Sequence, residues 1–330
     1  MDCGLNHNSI TKSLRENYNF YIVNNILVEN KMLFYTENVL KFAFSIETSN
    51  IDVEPSKEDD KKRFGIVGVP FDGTTSYMPG ARFGPRSVRE ASYNFERYNL
   101  ILDKYINTEI YDFGDLEVVH GNFKKTCSNL KTTISEILEM GLIPLTIGGD
   151  HSVSCCVMKA IDEHEELNFQ NITVIHFDAH MDLRDRYLGE KYSHATVMRR
   201  IFDMNPKEII QIGVRSSSQE EARFARKNNL KIYTSYDVDE KQEEIIHFLK
   251  KIEGPIYVTF DIDVLDPAFA PSVGTPSPCG LNPKQTEKLI YSLKNKKIIG
   301  FDLVEVSSNK IGDITSVNAA KTIYDILSLL

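Results

Sequence analysis

The stretch ITVIHFDAHMD, residues 172–182, joins a short apolar run to a group of polar residues that directly follows it. The run at 172–177 is rich in β-branched side chains and mostly apolar on both faces, which is typical of a buried strand in a parallel sheet. The polar residues that follow are Asp178, His180 and Asp182. The stretch therefore predicts a buried strand that ends in possible metal ligands.

The same kind of run recurs along the chain from residue 64 onward. Buried strands are predicted at residues 64–69, 109–113, 142–147, 172–177, 208–214, 231–234, 255–260 and 298–304. Helix-compatible segments lie between them at residues 123–140, 219–228, 241–251 and 283–293, and Pro85 marks a further helix start. This alternation predicts an α/β fold, with one parallel sheet of about eight strands and helices on both faces.

Four of the predicted strands end in carboxylate or imidazole side chains. Because ligands of an open parallel sheet bind at the carboxyl ends of its strands, we expect these side chains to share one edge. The set is His151, Asp178, His180, Asp182, Asp261, Asp263 and Glu305. Its four aspartates and two histidines form an oxygen-rich group that favours a hard divalent ion such as Mn²⁺. Two such ions would balance the repulsion among the four aspartates.

The competing interpretation is that these motifs are ordinary turns. A single D-x-D or D-x-H is usually a solvated turn, and GGDHS at 148–152 alone could be a turn followed by a helix cap at Ser152. Three such motifs at strand ends of one sheet favour a metal site instead. Asp178 and Asp182 would lie about 13 Å apart in an extended chain, so we expect the chain to turn directly after Asp178. His176, inside the strand, is interpreted as a core residue.

The domain organisation predicted from the sequence is simple. Residues 1–62 are interpreted as an N-terminal extension and lead-in segment, and residues 63–330 as a single catalytic domain. Residues 1–31 are polar and Asn-rich, so translation from Met32 is an alternative to Met1.

Composition excludes several classes of partner. A net charge of -9 argues against nucleic acid and suits a small cationic substrate. No uncharged apolar run approaches the roughly 20 residues needed to cross a bilayer, and the N-terminus has no signal-peptide pattern, so no membrane partner is expected. The five cysteines are odd in number and form no C-x-x-C pair. We expect reduced thiols and a cytoplasmic location.

Six motifs together resemble the arginase/agmatinase (ureohydrolase) family. They are GGDHS at 148–152, DAHMD at 178–182, SHAT at 193–196, DIDVLDP at 261–267, VGTPSPCGL at 273–281 and VEVS at 304–307. They occur in the order of the family, and the resemblance covers about residues 64–330. It implies a three-layer α/β/α fold with an eight-stranded parallel sheet and two Mn²⁺ ions per subunit. It also implies a homo-oligomer, either a trimer or a hexamer.

The resemblance implies a metal-binding role for six positions. One Mn²⁺ ion would be held by His151 and Asp182 and the other by His180 and Asp263. Asp178 and Asp261 would bridge the two ions. Asp150 would support His151 without touching an ion, as metal-bound histidines usually require.

Three positions are implied in catalysis by the same resemblance. His194, in SHAT, would carry a proton to the leaving amine. Glu305 would hold the guanidinium group of the substrate, and Asp182 would accept the proton of the attacking hydroxide. An alkaline activity optimum is expected because the free site must hold hydroxide.

The segment 183–192, LRDRYLGEKY, indicates the substrate. It resembles agmatinases and lacks the Asn/Ser-rich stretch of arginases, so hydrolysis of agmatine to putrescine and urea, a step of polyamine biosynthesis, is predicted. Arg184, Arg186 and Lys191 keep guanidinobutyrate open as an alternative, and aminopropylagmatine and arginine remain further ones. Alternatives of another class are a binuclear metallophosphoesterase, whose G-D-x-x-D and G-N-H-[DE] motifs are absent, and a non-catalytic metal-binding relative.

Overall fold

The computed structural model describes residues 20–23, 26–29, 36–37, 40–48 and 62–329. Most of the predicted N-terminal extension, and Met32 with it, falls outside these ranges. The division of the chain between residues 62 and 63 therefore stays a prediction. None of the helices in the described ranges is both long and apolar enough to cross a membrane.

The strands of the described residues include all eight that the sequence predicts. They are β1 (Phe20–Val23), β2 (Ile26–Glu29), β3 (Thr36–Glu37), β4 (Arg63–Gly68), β5 (Tyr98–Asn99), β6 (Lys104–Tyr105), β7 (Glu109–Leu116), β8 (Ile143–Ile147), β9 (Thr173–Phe177), β10 (Glu208–Val214), β11 (Lys231–Thr234), β12 (Pro255–Asp261) and β13 (Lys297–Val304). The pairs β1–β2 and β5–β6 form separate two-stranded antiparallel sheets.

The central sheet has the strand order β11-β10-β9-β12-β13-β8-β4-β7-β3 within the described residues. Eight of these strands run parallel, which confirms the predicted eight-stranded parallel sheet. The ninth, β3, pairs antiparallel with the edge strand β7. The sequence did not predict it, because a two-residue strand carries no periodicity.

Helices cover both faces of the sheet. They are α1 (Gly84–Ser92), α2 (Phe123–Glu139), α3 (Ser152–Asp162), α4 (Val197–Phe202), α5 (Gln219–Lys227), α6 (Ser235–Lys250), α7 (Pro283–Tyr291) and α8 (Ile314–Leu329). One apolar core joins the sheet to α1, α6, α7 and α8, and a second joins its other face to α2, α3, α4 and α5. The three-layer α/β/α fold is therefore confirmed. Val174 lies in one core and Ile175 in the other, because successive side chains of a strand point to opposite faces.

Helix α6 begins six residues before the start that the sequence predicted at Lys241. Thr234 caps it, since its hydroxyl accepts the Asp237 N–H while the Asp237 carboxylate accepts the Thr234 N–H. Lys241 has a φ of -133°, which interrupts the helical backbone. The interruption shifts the apolar pattern, so the periodicity of residues 241–251 identified only the second part of the helix.

Two cysteines form a disulfide, which corrects the expectation of reduced thiols. Cys127 on α2 is bonded to Cys156 on α3, while Cys155 and Cys279 are free. Cys3 lies outside the described residues. The prediction was wrong for Cys127 and Cys156 because the pairing depends on α2 packing against α3, which the spacing of 29 residues does not reveal.

Breaking this disulfide is expected to destabilise the protein. Closing a loop of about 30 residues restricts the unfolded chain, so Cys127→Ser with Cys156→Ser is expected to lower the free energy of unfolding by about 3–4 kcal/mol. Denaturant unfolding of the double variant and of Cys279→Ser, an exposed free thiol, measures the difference. Equal stability of the two variants would contradict the expectation.

The four strands whose ends carry the predicted ligands are neighbours at the centre of the sheet. Their order is β9-β12-β13-β8, because β12 and β13 are inserted between β8 and β9. All four run parallel, so their carboxyl ends open onto the same edge. The fold thus collects side chains that are up to 154 residues apart in sequence, as for His151 and Glu305.

Candidate metal centre

The first group of ligand side chains surrounds the imidazole of His151, just beyond β8. The Nδ1 atom of His151 lies 3.0 Å from Asp178 Oδ2, 3.2 Å from Asp261 Oδ2 and 3.3 Å from Asp182 Oδ2. All four side chains are buried. Three carboxylate oxygens and one imidazole nitrogen therefore converge on one small volume.

The second group shares a residue with the first. His180 Nδ1 lies 3.2 Å from Asp263 Oδ2 and 3.4 Å from Asp178 Oδ1. Asp178 thus presents one oxygen to each group. Asp261 presents Oδ2 to the first group, while its Oδ1 accepts the backbone N–H of Asp263 at 2.8 Å. The structure brings all six predicted ligands together, in two groups that meet at Asp178.

The donor set fits divalent cations. His151 Nδ1 is buried and makes no hydrogen bond to the described residues, although three carboxylates lie within 3.3 Å of it. The other ring nitrogen, Nε2, lies 2.9 Å from the hydroxyl of Thr259, which in turn donates to Asp302 Oδ1 at 2.7 Å. With the hydroxyl proton used for Asp302, the ring donates from Nε2. Burial lowers the pKa of His151, but Asp178, Asp182 and Asp261 raise it well above its ordinary value, so a cation that takes the Nδ1 lone pair must displace a proton. That lone pair points into the carboxylate group, as in a metal-binding histidine.

Electrostatics inside the site also require positive charge. Burial and the neighbouring Asp263 and Asp178 raise the pKa of Asp261 well above its ordinary range. Burial and Asp178 raise the pKa of Asp182 to about 7. Burial alone would lower the pKa of His180, but Asp263 and Asp178 raise it to about 12. Without cations, the group therefore retains protons that a bound metal must displace.

Mn²⁺ affinity is accordingly expected to increase with pH. With pKa values raised to about 7 and about 12, Asp182 and His180 hold protons in the metal-free site below about pH 7. Each proton released on binding adds about tenfold in affinity per pH unit. Calorimetric titration of the protein with Mn²⁺ at about pH 6 and pH 7.5 measures this change. The same affinity at both values would contradict the expectation.

The chain turns sharply at two of the site residues. Asp182 has a φ of 53° and Glu305 a φ of 68°, both in the left-handed region that non-glycine residues seldom adopt. The turn expected after Asp178 is therefore present, and it brings Asp182 back to His151. Backbone in this region costs about 1–3 kcal/mol and clusters at functional sites, where the surrounding structure holds it.

Glu305 lies at the inner end of the site beside β8 and β13. Its Oε1 accepts the backbone N–H of His151 at 2.8 Å, and its own N–H donates to Gly149 O at 2.8 Å. A Cβ on Gly149 would lie 1.7 Å from Phe71 O, so only glycine allows this close approach of the two chains. Burial and the neighbouring Asp150 raise the pKa of Glu305 well above its ordinary range. A buried carboxylate of this kind is poised to receive a cation.

Asp150 does not contact the imidazole of His151, contrary to the support that the sequence interpretation gave it. Its Oδ2 accepts the N–H and the hydroxyl of Thr74 at 2.8 and 3.0 Å, and its Oδ1 accepts from Ser152. Thr259 is the partner of His151 Nε2 instead. The motif GGDHS places Asp150 next to His151 in sequence, but the following helix turns its side chain toward the loop at Thr74.

His194 lies on the wall of a cleft of about 230 Å³ that opens over the ligands. Its backbone N–H donates to the Thr74 hydroxyl at 2.9 Å, and its Nε2 lies 3.3 Å from the Ser76 hydroxyl. Burial lowers the pKa of His194. The cleft is lined by Ser76, His180, Asp182, Arg184, Tyr187, His194, Ala195, Ser216, Ser217, Glu221, Asp261, Thr275 and Glu305. Three of the six predicted ligands, His180, Asp182 and Asp261, therefore share one opening with the predicted catalytic residues.

Some contributors to the site were not identified from the sequence. Thr259 and Asp302 are single polar residues inside predicted buried strands, and Gln211 is a third. His176, which was interpreted as a core residue, is fully buried and lies 2.8 Å from Asp178 Oδ2. Polar residues in otherwise apolar strands were the available signal, since a buried polar group needs a partner.

Comparison with known proteins assigns the chain to a family. Residues 62–328 match the model of the Arginase family. Over 288 residues, 87% of this chain and 98% of the relative, the chain is 49% identical to an uncharacterized 32.2 kDa protein of Methanothermus fervidus. It is 37% identical over 289 residues, 86% of this chain and 96% of the relative, to the N(1)-aminopropylagmatine ureohydrolase of Thermococcus kodakarensis.

A solved structure is also similar. The agmatine ureohydrolase of Thermoplasma volcanium has a TM-score of 0.76 and 30% sequence identity, covering 89% of this chain and 94% of that one. Fold and site thus define a hydrolase of the ureohydrolase class, with a His/Asp cluster that could hold metal ions. The chain belongs to the arginase family. This membership sets aside the metallophosphoesterase alternative.

Proposed function

We propose that this protein hydrolyses agmatine to putrescine and urea, with two Mn²⁺ ions bound to the six ligand residues. The observation that carries the proposal is the convergence of two ligand groups on Asp178 directly below a cleft that also contains Glu305 and His194. Two divalent ions bound there would lower the pKa of water, so that hydroxide is available near neutral pH.

Glu305 is proposed to bind and orient the guanidinium group. Its Oε1 accepts the His151 N–H, and its Oε2 is within 3.1 Å of the position that a Cβ on Gly274 would occupy. Glycine at 274 therefore leaves room beside the second oxygen. A buried carboxylate and a planar cation with several N–H donors are complementary in charge and geometry. Binding at Glu305 holds the guanidinium carbon over the ligand groups, which contributes proximity.

Asp182 and His194 are proposed to move protons. Asp182 lies in the first ligand group and lines the cleft, so its carboxylate is placed to accept the proton of the attacking hydroxide. His194 lines the same cleft, and its lowered pKa leaves the ring neutral at the alkaline pH expected for activity. Its contacts with Thr74, Ser193 and Ser76 orient the ring. A neutral imidazole held in this way can relay a proton to the departing amine.

The outer part of the cleft is relevant to the choice of substrate. Of the three basic residues in the segment 183–192, Arg184 lines the cleft, whereas Arg186 and Lys191 do not. Arg184 Nε lies 3.6 Å from Glu221 Oε2, so the two charges offset each other at the opening. Because its charge is offset by Glu221, Arg184 is compatible with the cationic tail of agmatine. Guanidinobutyrate stays the second candidate, since Arg184 would attract its carboxylate tail.

The proposal is tested by measuring urea release at about pH 9 from agmatine, guanidinobutyrate, aminopropylagmatine and arginine, each with Mn²⁺-loaded protein. Agmatine is expected to have the highest kcat/KM. A higher value for another guanidine would overturn the choice of substrate and keep the reaction. Arg184→Gln in the same panel is expected to favour agmatine over guanidinobutyrate by roughly two- to fivefold, as for a partly exposed charge.

Three further properties are proposed. A cytoplasmic location rests on the free thiols of Cys155 and Cys279, since the disulfide between Cys127 and Cys156 removes the rest of its support. A role in polyamine biosynthesis and assembly into a homo-oligomer, either a trimer or a hexamer, rest on the family resemblance. Analytical ultracentrifugation of the Mn²⁺-loaded protein tests the last of these. A monomer at micromolar concentration would contradict it.

A further inference from the structure

Asp178 is the residue on which the two ligand groups meet, so its orientation determines both of them. Its Oδ2 lies 3.0 Å from His151 Nδ1, and its Oδ1 lies 3.4 Å from His180 Nδ1. Rotation of the carboxylate about its Cβ–Cγ bond would move Oδ2 away from His151 and Oδ1 away from His180. Asp178 is fully buried, so no solvent fixes the rotation. The backbone N–H of His180 donates to Oδ1 at 2.5 Å, which leaves Oδ2 to be held by a second protein donor.

His176 makes that contact. It lies on β9, two residues before Asp178, and its Nε2 is 2.8 Å from Asp178 Oδ2. Gln211 lies opposite His176 on β10, and both side chains are fully buried. The Gln211 Nε2 atom is 2.9 Å from His176 Nδ1 and 2.7 Å from Met181 O. A chain of hydrogen bonds therefore connects the sheet to the shared carboxylate.

The partners of Gln211 determine which nitrogen of His176 carries the proton. Met181 O can only accept, so the amide group that faces it must be the NH₂ of Gln211. The same NH₂ faces His176 Nδ1, which must therefore be the acceptor nitrogen. The ring proton is then on Nε2, where it donates to Asp178 Oδ2. Each N–H in this chain has one acceptor, and the direction is fixed from Gln211 through His176 to Asp178.

We propose that His176, with its tautomer set by Gln211, is a positioning residue that holds Asp178 in the orientation that bridges two divalent cations. The inference rests on the proposed function for the identity of the ions and for the bridging role of Asp178. Partners of this kind, which orient a ligand without touching the ion, typically change metal affinity by about 10- to 100-fold when they are removed.

Two replacements of His176 separate positioning from packing. In His176→Gln the amide nitrogen can reach the place of Nε2, so the donor to Asp178 is kept. In His176→Asn the amide reaches only the place of Nδ1, so the contact with Gln211 is kept and the donor is lost. Mn²⁺ affinity and stoichiometry are measured by calorimetry, with Mn²⁺ alone as the probe. His176→Asn is expected to bind Mn²⁺ about 10- to 100-fold more weakly, and His176→Gln within about threefold of the natural protein.

Electron paramagnetic resonance of the Mn²⁺-loaded variants is a second readout. The signal of the coupled Mn²⁺ pair is expected to change in His176→Asn and to be kept in His176→Gln. The unfolding temperature of the metal-free variants shows whether each one folds.

Equal losses of affinity in His176→Asn and His176→Gln would overturn the inference, since packing alone predicts that result. Unchanged Mn²⁺ binding in His176→Asn would also overturn it, as would a natural protein that binds no Mn²⁺. None of these measurements uses urea. Two bound Mn²⁺ ions with no urea release from any guanidine would contradict the proposed function and leave the inference intact.

Discussion

Replacing Asp178 by asparagine is expected to remove nearly all urea release and to reduce Mn²⁺ binding at both ligand groups. Asparagine has almost the same shape as aspartate but no charge. In place of one of the two carboxylate oxygens it has an NH₂ group, which cannot bind a cation. Because Asp178 presents one oxygen to His151 and the other to His180, a single substitution affects both groups. The loss of kcat is expected to be about 10³-fold or more, since the chemistry depends on both ions.

The control for this prediction is Asp162→Asn, which removes an exposed carboxylate at the end of α3. This variant is expected to match the natural protein in urea release and in the number of Mn²⁺ ions per chain. Metal content by mass spectrometry and urea release are measured on the same samples. Two tightly bound ions in Asp178→Asn, or a loss of activity below about tenfold, would contradict the assigned position of Asp178.

Glu305→Gln is expected to have the second-largest effect, on substrate binding rather than on metal binding. Glutamine keeps a carbonyl oxygen that can accept the His151 N–H, so the turn at Glu305 is retained. The substitution removes the buried negative charge opposite the guanidinium group, and losing one member of such a pair costs about 2–5 kcal/mol. The value of kcat/KM is therefore expected to fall by about 10²- to 10³-fold, with two Mn²⁺ ions still bound.

The matched control for Glu305 is Glu221→Gln, because Glu221 lines the outer part of the same cleft. The Glu221 carboxylate accepts from Leu183 N, Ser218 N and the Ser218 hydroxyl. It also lies 3.6 Å from Arg184, so the release of Arg184 is expected to change KM for agmatine rather than kcat. This variant is expected to retain most of its kcat for agmatine. If Glu305→Gln stayed within about threefold of the natural protein, Glu305 would not be the guanidinium-binding residue.

The sequence predicted the central sheet well because buried parallel strands carry a strong signal. The apolar runs at 172–177 and 255–260 correspond to β9 and β12, and the polar residues after them lie at the ends of those strands. Since parallel strands all end at the same edge, predicting four strand ends was enough to predict that their ligands converge. The neighbouring order of β9, β12, β13 and β8 was not needed for that step.

Features that depend on how distant elements pack were not predicted. The bond between Cys127 and Cys156 requires the contact of α2 with α3, and no local pattern indicates that contact. The partner of His151 is Thr259, which lies 108 residues away, whereas Asp150 was chosen because it is adjacent in sequence. His176 was assigned to the core on its burial alone. Its bond to Asp178 depends on Gln211 of the neighbouring strand, whose register the sequence does not specify.

We propose that two Mn²⁺ ions bind at the carboxyl edge of the central sheet and act together in releasing urea. The most direct test titrates metal-free protein with Mn²⁺ and measures urea release from agmatine at each step, on samples in which bound metal is counted. Activity is expected to rise with occupancy of the second site, to reach its maximum at two ions per chain, and to be lost with a chelator. Full activity in metal-free protein, or two bound ions without urea from any guanidine, would contradict it.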